Sequence, residues 1–389
     1  MKKKLSFIIV FIFLLASILL VIPIKDNLNE LRINKEVEDD KPSQEELSEF
    51  YKLLEDDTYF YYNNLNDNDK EIYKTMYVSF MNFEETFYLD TTENALKEIF
   101  VAVLYDNPHI FWVKNNYSYT EYEKAIMFCP EYRHTVDQAN EITNQLNDKI
   151  DEIISEVEFL PSEYEKELFI HDFVCENTEY DLNVEAFTDT AYEAILNGKA
   201  ICEGYARAIQ ILLNAVDIDN YLIVGNAISN GKSEPHMWNV VNIDNFNYHL
   251  DATWNDSTDE DRTTYFYFNV TDEYIMGDHM DLNIINNGCI HNGANYFVME
   301  NAYVSDYDGF NEHIKRSALT LKKGSNNIEF YFEDSKDFME SVNDIENDNN
   351  FFNFISTAVY QSGRNLNANE IEYYTYDTYN YLCINFKER

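Results

Sequence analysis

The chain has 389 residues and a formal net charge of −43, with 71 acidic against 28 basic residues. Hydrophobic residues make up 45 % and aromatic residues 16 % of the chain, which excludes a disordered polymer and predicts a large core. Because such an acidic chain repels phosphate backbones, we exclude nucleic acid as a partner. The charge is spread along the chain, which indicates an acidic solvated surface; a preference for cationic partners is the alternative.

The N-terminus combines basic residues with a long apolar run. Lys2, Lys3 and Lys4 precede residues 5–24, an apolar stretch long enough to cross a bilayer as a helix. Since lysines stay on the cytoplasmic side, the acidic remainder is expected outside the cell. We interpret residues 1–25 as the anchor of a single-pass cell-membrane protein. A cleaved signal peptide, which would make the protein secreted, is the alternative.

A polar spacer is expected over residues 26–45, followed by a helix-rich domain over residues 46–160. Apolar residues recur there at helical spacing in four segments. The predicted helices cover residues 44–54, 67–81, 91–106 and 135–160. Two strands are predicted between them, over residues 109–122 and 124–129.

Residues 161–285 change from helical to alternating periodicity and form the next predicted domain. Three helices are expected first, over residues 161–180 with Pro161 at the first position, 188–198 and 198–214. Three antiparallel strands follow, over residues 221–228, 236–243 and 248–254, with polar turns between them.

Residues 286–389 are expected to form a separate small α+β domain without a chemical motif. Its predicted elements alternate between strand and helix. They are a strand over 295–305, a helix over 310–321, a strand over 326–333, a helix over 335–363 and a strand over 370–386.

Cys202 is the first candidate for chemistry. It lies in the first turn of the helix in "GKAICEGYARAIQILLN", where unpaired N–H groups and the positive end of the helix dipole favour a thiolate. The alternative is a small apolar residue packed at a helix start. The five cysteines are widely spaced without a CxxC pair, so we predict no metal and no cofactor.

Two strand residues complete a possible catalytic set with Cys202. His236 begins the strand "HMWNVV", and Asp251 lies in the next strand, "YHLDATW", within cross-strand reach. His236 would accept the thiol proton and Asp251 would orient its ring, which is the arrangement for acyl transfer. His249 is the alternative base. Trp238 and Trp254 flank the same strands and could wall the site, or could be ordinary core residues.

The blocks "GKAICEGYA", "HMWNVV" and "YHLDATWND", in this order, resemble the transglutaminase-like superfamily in its bacterial exported form. The resemblance covers residues 165–285, and "YFNVTDEYIMGDH" extends it. It implies a papain-like core, in which a helix bearing the nucleophile Cys202 packs on an antiparallel sheet bearing the base His236 and the orienting acid Asp251.

The resemblance also implies a side chain before the cysteine helix that contacts the oxyanion or substrate. Asn177 and Tyr180 are the candidates, with helix capping or turn chemistry as the alternative, and Trp238 is a further candidate contact. The implied function is a cysteine enzyme that acts on protein or peptide amide bonds at the cell surface through a thioester. The alternative is a non-catalytic binding or scaffolding module of the cell envelope. The substrate, the acyl acceptor and the oligomeric state stay open.

Overall fold

The computed structural model describes residues 24–25, 30–53, 59–122, 125–183, 187–229, 231–257, 262–281, 287–305, 327–347 and 349–388. The chain forms two compact units, Met1–Tyr267 with Thr271–Ile290 and Phe268–Val270 with His291–Arg389. Both combine helices with mainly antiparallel sheets, so the predicted α+β class is confirmed.

The first part of the larger unit packs helices against a four-stranded sheet. Its helices are α1 (Glu30–Asp39), α2 (Leu47–Leu53), α3 (Phe60–Asn64), α4 (Asp67–Met81), α5 (Glu93–Asp106) and α6 (Val136–Val157). Its strands are β1 (Ile24–Lys25), β2 (Phe87–Leu89), β3 (Val113–Glu121) and β4 (Ile126–Tyr132), in the order β1-β3-β4-β2. The four helices predicted there are present, and α1 lies within the predicted spacer.

Local side-chain chemistry explains where these helices begin. The Asn66 side chain accepts the backbone N–H of Asp69 at the start of α4. Thr135 and Gln138 form a capping box at the start of α6. The strand predicted from residue 109 begins only at Val113, after a turn.

The apolar run over residues 5–24 lies outside the described residues except for Ile24. That residue forms the short strand β1, paired in parallel with β3, and not the end of a helix. In the part of the chain that the structure describes, no helix is both long and apolar enough to cross a membrane.

The second part of the larger unit is a helix packed on a second four-stranded sheet. Its helices are α7 (Glu163–Asn177), α8 (Cys202–Asn214), α9 (Ala252–Asn255) and α10 (Asp272–Ile275). Its strands are β5 (Glu179–Tyr180), β6 (Lys199–Ala200), β7 (Asn220–Ser229), β8 (Lys232–Ile243), β9 (Phe246–Leu250), β10 (Asp256–Ser257), β11 (Arg262–Thr263) and β12 (His279–Asp281). The sheet order is β12-β7-β8-β9.

Three predictions for this region are corrected, and one strand was missed. The helix predicted from Pro161 begins after the cap Ser162, and residues 179–180 form β5 instead of extending it. The helix predicted over residues 188–198 is mainly a π-helical segment, Glu193–Asn197. The strand predicted over residues 248–254 ends at Leu250, because Asp251 caps α9. β12 was not predicted, since three residues give no detectable alternation.

Helix α8 is held on the sheet and against the N-terminal helices by buried polar contacts. The Asn239 amide of β8 donates to the Ala206 carbonyl at 3.0 Å. The Arg207 guanidinium donates to the Leu104 carbonyl of α5 at 2.7 Å and pairs with Glu203 at 3.0 Å. Since each of these groups is buried, its partner compensates for the lost water contacts.

The smaller unit corrects three more predictions. Residues 295–305 form α11 (Tyr296–Met299) and β13 (Tyr303–Val304) in place of one strand. The helix predicted over 335–363 is two helices, and the strand predicted over 370–386 is a hairpin. The remaining elements are β14 (Asn327–Phe332), α12 (Ser335–Asn347), α13 (Asn349–Ser362), β15 (Leu366–Tyr376) and β16 (Tyr381–Glu388), with sheet order β13-β14-β16-β15.

The hairpin was missed because its turn contains no glycine or proline. Asn380 supplies the left-handed backbone there, with φ of 50°, a conformation that asparagine tolerates better than most residues. The strand predicted over residues 326–333 is confirmed as β14. The helix predicted over residues 310–321 lies outside the described residues.

Gly204, two residues after the candidate nucleophile, is required by a close backbone approach. A Cβ at this position would lie 2.3 Å from the Thr188 carbonyl oxygen. The same oxygen accepts the Ile201 N–H at 2.9 Å, so the segment around Thr188 is pressed against the start of α8. A side chain at residue 204 therefore has to displace backbone.

We expect Gly204→Ala to destabilise the protein by about 2 kcal/mol, because overpacking outweighs the roughly 1 kcal/mol that alanine contributes to a helix. Urea unfolding measures the change. Gly231→Ala is the control: no atom lies within 4 Å of its Cβ position, and only the left-handed backbone, with φ of 73°, opposes the change, at about 1 kcal/mol. An unchanged or raised stability of Gly204→Ala would contradict the close approach.

Candidate active site

Cys202 is the first residue of α8, and its side chain is buried at 2 % exposure. The sulfur lies against β8, in a cluster with Ala206, Leu222 and Met237, and the Met237 backbone N–H faces it. Burial raises the pKa of the thiol to about 12, and the Glu203 carboxylate adds to the rise. The helix start was expected to favour a thiolate, but burial outweighs it.

His236 and Asp251 are in direct contact. The His236 Nε2 lies 2.7 Å from Asp251 Oδ2, and both residues are buried. An ionised carboxylate only accepts hydrogen bonds, so Nε2 carries the proton and Nδ1 of the neutral ring is left as an acceptor. This is the tautomer in which a histidine can accept a proton.

The position of Asp251 follows from the end of β9. The pairing of β8 with β9 stops at Asn239 and Leu250, so residues 232–238 of β8 face no β9 residue. Asp251 turns away from the strand and caps α9, where its Oδ1 accepts the Trp254 N–H at 3.2 Å. His236 therefore reaches Asp251 past the end of a strand, and not across a strand pair.

A second histidine binds the same carboxylate oxygen. His279 in β12 lies with Nε2 3.0 Å from Asp251 Oδ2 and with Nδ1 2.6 Å from Asp278 Oδ1. Its side chain has 0 % exposure. The sequence analysis did not select His279. Its only signal was its place in "YFNVTDEYIMGDH", the block that extends the family resemblance.

The charges of these groups are strongly coupled. Burial alone would lower the pKa of His279, but its hydrogen bonds to Asp251 and Asp278 raise it to about 9. Burial alone would raise the pKa of Asp251, but the charges and hydrogen bonds of His236 and His279 hold it well below its usual range. At neutral pH the site therefore holds an imidazolium at His279 between two carboxylates.

Tyr180 and Asn177, the two candidates before the cysteine helix, lie in different surroundings. Tyr180 is positioned by the pairing of β5 with β6, and its hydroxyl faces the backbone N–H of Cys202. Asn177 is exposed, and its amide donates to the Phe173 carbonyl one turn earlier at 2.8 Å. Of the two, Tyr180 contacts the candidate nucleophile.

The aromatic residues enclose the histidines. Trp238 is buried and stacks on His236 with ring centroids 6.1 Å apart, and Trp254 lies 5.7 Å from the same ring. The Trp238 indole N–H donates to His249 Nδ1 at 3.0 Å. His249 Nε2 in turn bonds Asp272 at 2.9 Å. Because the lone pair of His249 is already occupied by the indole, His236 is the better candidate base.

A second thiol and imidazole pair supports the turn that carries Asp251. The Cys175 thiol donates to the Ala252 carbonyl at 3.5 Å, and the sulfur lies 3.6 Å from His171 Nε2. The Asn255 amide lies 3.1 Å from the same nitrogen, and its oxygen accepts the Tyr267 N–H at 2.9 Å. These contacts tie α9 to α7, so they fix the start of α9 at Asp251.

Two groups of side chains have the residue types of a metal site. Within the described residues, the ligand atoms of His236, Asp251 and His279 lie within 4.8 Å of one another, as do those of His249, Asp272 and Cys289. Hydrogen bonds between the members account for the first cluster, in which both nitrogens of His279 already have carboxylate partners.

The comparison with protein families agrees with the geometry. Residues 134–252 match the core model of the transglutaminase-like superfamily. This segment is a transglutaminase-like domain. It contains Cys202, His236 and Asp251, and it ends one residue after the carboxylate that joins the two histidines. A search among curated proteins found no match.

Two solved structures are similar to parts of the chain. One is described as "a Putative Cysteine Protease from Cytophaga hutchinsonii"; it shares 17 % identity over 33 % of this chain, with a TM-score of 0.26. The other is described as a "TGase" and shares 14 % identity over 46 % of this chain, with a TM-score of 0.26. The chain spans about half the length of each, 52 % and 53 %.

The transglutaminase-like domain should lose stability as His279 loses its proton. Because the folded-state pKa of about 9 lies above that of an unfolded histidine, the stabilisation is fully present below about pH 6.5 and is lost as the pH rises through 9. We expect the stability difference between wild type and His279→Gln to shrink by about 3 kcal/mol from pH 6 to pH 9.5. Urea unfolding at each pH measures it.

His109→Gln is the matched control for this measurement. Burial lowers the pKa of His109 to about 4, so in this pH range only the unfolded state titrates at this residue. Wild type should therefore gain about 0.8 kcal/mol over His109→Gln between pH 6 and about pH 8, and the difference should stay constant above that. A difference for His279→Gln that does not shrink from pH 6 to pH 9.5 would contradict the charged state of His279.

Proposed function

We propose that the chain is a cysteine-dependent enzyme that cleaves or transfers protein or peptide amide bonds through a thioester. The hydrogen bond between His236 Nε2 and Asp251 Oδ2, in a transglutaminase-like domain whose Cys202 begins the core helix, carries the proposal. It leaves His236 Nδ1 able to accept the thiol proton. In this proposal Cys202 is the nucleophile, His236 the general base and acid, and Asp251 the residue that orients His236.

The reaction has two halves. The thiol proton passes to His236 as the sulfur attacks the amide carbonyl carbon and forms a C–S bond. His236 then returns the proton to the departing nitrogen, the C–N bond breaks, and ammonia or an amine leaves. Water or a primary amine next attacks the thioester carbonyl, loses its proton through His236, and releases the sulfur. Water gives a carboxylic acid, and an amine gives a new amide.

The oxyanion formed in each half needs hydrogen-bond donors. The backbone N–H of Cys202 is one, and it now points at the Tyr180 hydroxyl. In this proposal the oxyanion binds beside the Tyr180 hydroxyl, which turns to donate to it when substrate arrives. Trp238 contacts the base, since its buried ring stacks on His236.

A non-catalytic binding module is the second candidate. The burial of Cys202, with its exposure of 2 % and a pKa raised to about 12, favours this alternative. An enzyme with this site has to expose the sulfur and transfer its proton to His236. A binding module has no need of either.

Selective alkylation distinguishes the two candidates. In the native full chain, we expect iodoacetamide to modify Cys202 at least about 10-fold faster than Cys175, with a loss of about 100-fold in His236→Ala. Mass spectrometry of peptides measures both rates. We also expect ammonia release or cleavage from glutamine-containing peptides, absent in Cys202→Ser. Selective alkylation that depends on His236 is the result expected if His236 accepts the proton of the Cys202 thiol.

The chain supplies its own controls for this experiment. Cys175 is also buried beside a histidine, but its thiol donates to a backbone carbonyl. Cys129 is partly exposed, so Cys129→Ser should retain peptide turnover. Alkylation of Cys202 that is no faster than that of Cys175 and is unchanged in His236→Ala would support the binding module.

We also propose that the chain acts at the outer face of the cell membrane. Lys2 to Lys4 and the apolar residues 5–24 support this location. The full chain should then fractionate with membranes and resist extraction at alkaline pH, whereas a variant that lacks residues 2–24 should be soluble. Recovery of the full chain in the soluble fraction of the cytoplasm would contradict the location.

A further inference from the structure

His279 lies outside the three residues of the proposed reaction but contacts one of them. Its ring is enclosed by aromatic side chains, with Trp254 at 4.5 Å, Trp238 at 5.1 Å and Tyr267 at 5.2 Å between centroids. The side chain has no exposed surface. A buried polar ring in such surroundings needs a partner for each nitrogen, and His279 finds two carboxylates.

The hydrogen bonds assign protons to both nitrogens. Asp278 Oδ2 accepts the Tyr267 hydroxyl at 2.5 Å, and its Oδ1 lies 2.6 Å from His279 Nδ1. Asp251 accepts at both oxygens, since Oδ1 bonds the Trp254 N–H and Oδ2 faces both histidines. Ionised carboxylates only accept, so His279 donates from both nitrogens and is an imidazolium.

The charges then alternate along a row, with the partly exposed Asp278 negative, and the buried His279 positive and Asp251 negative. In the described part of the chain, the other titratable side chains in contact with His279 are His236 and Tyr267, each with its ring centroid 5.2 Å away. The row carries one net negative charge, which an imidazolium at His236 would balance. Without the charge of His279, His236 would face two uncompensated carboxylates and would hold its proton more tightly.

We propose that His279 is a positioning residue that acts through Asp251. It holds the carboxylate oxygen that orients His236, and its positive charge offsets part of the negative charge near His236. The inference rests on the proposed function, because the role of His236 as a base belongs to that proposal. His279 thereby sets the pH at which His236 can release the proton that it took from Cys202. A residue with only a structural role would not affect that pH.

Two amide variants separate the two hydrogen bonds. His279→Gln places a neutral donor near the position of Nε2, so it keeps the bond to Asp251 and loses the charge. His279→Asn places its donor near the position of Nδ1, so it keeps the bond to Asp278 and loses the bond to Asp251. Both variants remove the positive charge of His279 and keep a polar amide side chain. Each is therefore the control for the other.

We expect distinct effects of the two variants on the His236-dependent alkylation of Cys202 in the full chain. The glutamine variant should keep the maximal rate within several-fold, with the rising limb of the pH profile, where His236 loses its proton, moved up by about 1 unit. The asparagine variant should lose roughly 10-fold or more in maximal rate, the effect of one lost charge-assisted hydrogen bond. Circular dichroism checks that both variants are folded.

A second measurement does not depend on catalysis. In the Cys202→Ala chain, NMR of labelled histidine rings follows the titration of His236. The His236 signal is identified among those of the 8 histidines because it is missing from a His236→Gln variant. The titration midpoint should move to higher pH in His279→Gln. If it does while Cys202 shows no selective alkylation, the proposed function fails and the coupling of the two histidines stands.

Two results would overturn the inference, and a third would overturn the role of the bond to Asp251. One is an unchanged His236 titration in His279→Gln. The other is an equal loss of alkylation rate in the glutamine and asparagine variants without a change in the pH profile, which is the result expected of a structural residue. A stable His279→Asn protein with wild-type rates would likewise show that Asp251 needs no second donor.

Discussion

The Oδ2 oxygen of Asp251 joins two buried histidines, and the geometry of the candidate site depends on it. A buried carboxylate is costly unless donors surround it, and Asp251 meets this need with the two imidazoles and the Trp254 N–H. Contacts of the neighbouring backbone and side chains hold Asp251 in place. Its backbone N–H donates to the Tyr267 carbonyl at 3.0 Å, and the contacts of Cys175 and Asn255 tie the following turn to α7.

This carboxylate also links two parts of the chain that are separate in sequence. His236 comes from β8, whereas His279 comes from the edge strand β12 on the other side of β7. Gly225 of β7 makes the approach possible, because a Cβ there would meet the Met280 carbonyl and the Trp238 ring. The sheet therefore brings one histidine from each side of β7 to one oxygen, and the indole of Trp238 fills the space beside them.

The same packing that fixes the site also encloses the nucleophile. Helix α8 is buried along most of its length, and Arg207 and Gln210 bind it to carbonyls of α5. Such contacts hold the Cys202 backbone in register with β8, which acyl transfer requires, but they leave the sulfur 2 % exposed. The burial that positions the thiol also raises its pKa, so the proposed reaction requires His236 to take the thiol proton before the sulfur can react.

The sequence by itself determined the elements whose signals are local. Helical periodicity located α4, α5, α6 and α8, alternation located β7 and β8, and three short blocks selected Cys202, His236 and Asp251. Local signals failed where geometry depends on distant contacts: β12 is too short for a pattern, and the hairpin before Tyr381 turns at an asparagine. Only the tertiary structure decided that Asp251 leaves its strand to cap α9, that His279 shares its oxygen, and that Cys202 is buried. The physical reason is that burial and charge pairing arise when side chains far apart in the sequence, between residues 171 and 279, meet in the folded chain. A short segment of sequence does not contain both members of such a pair.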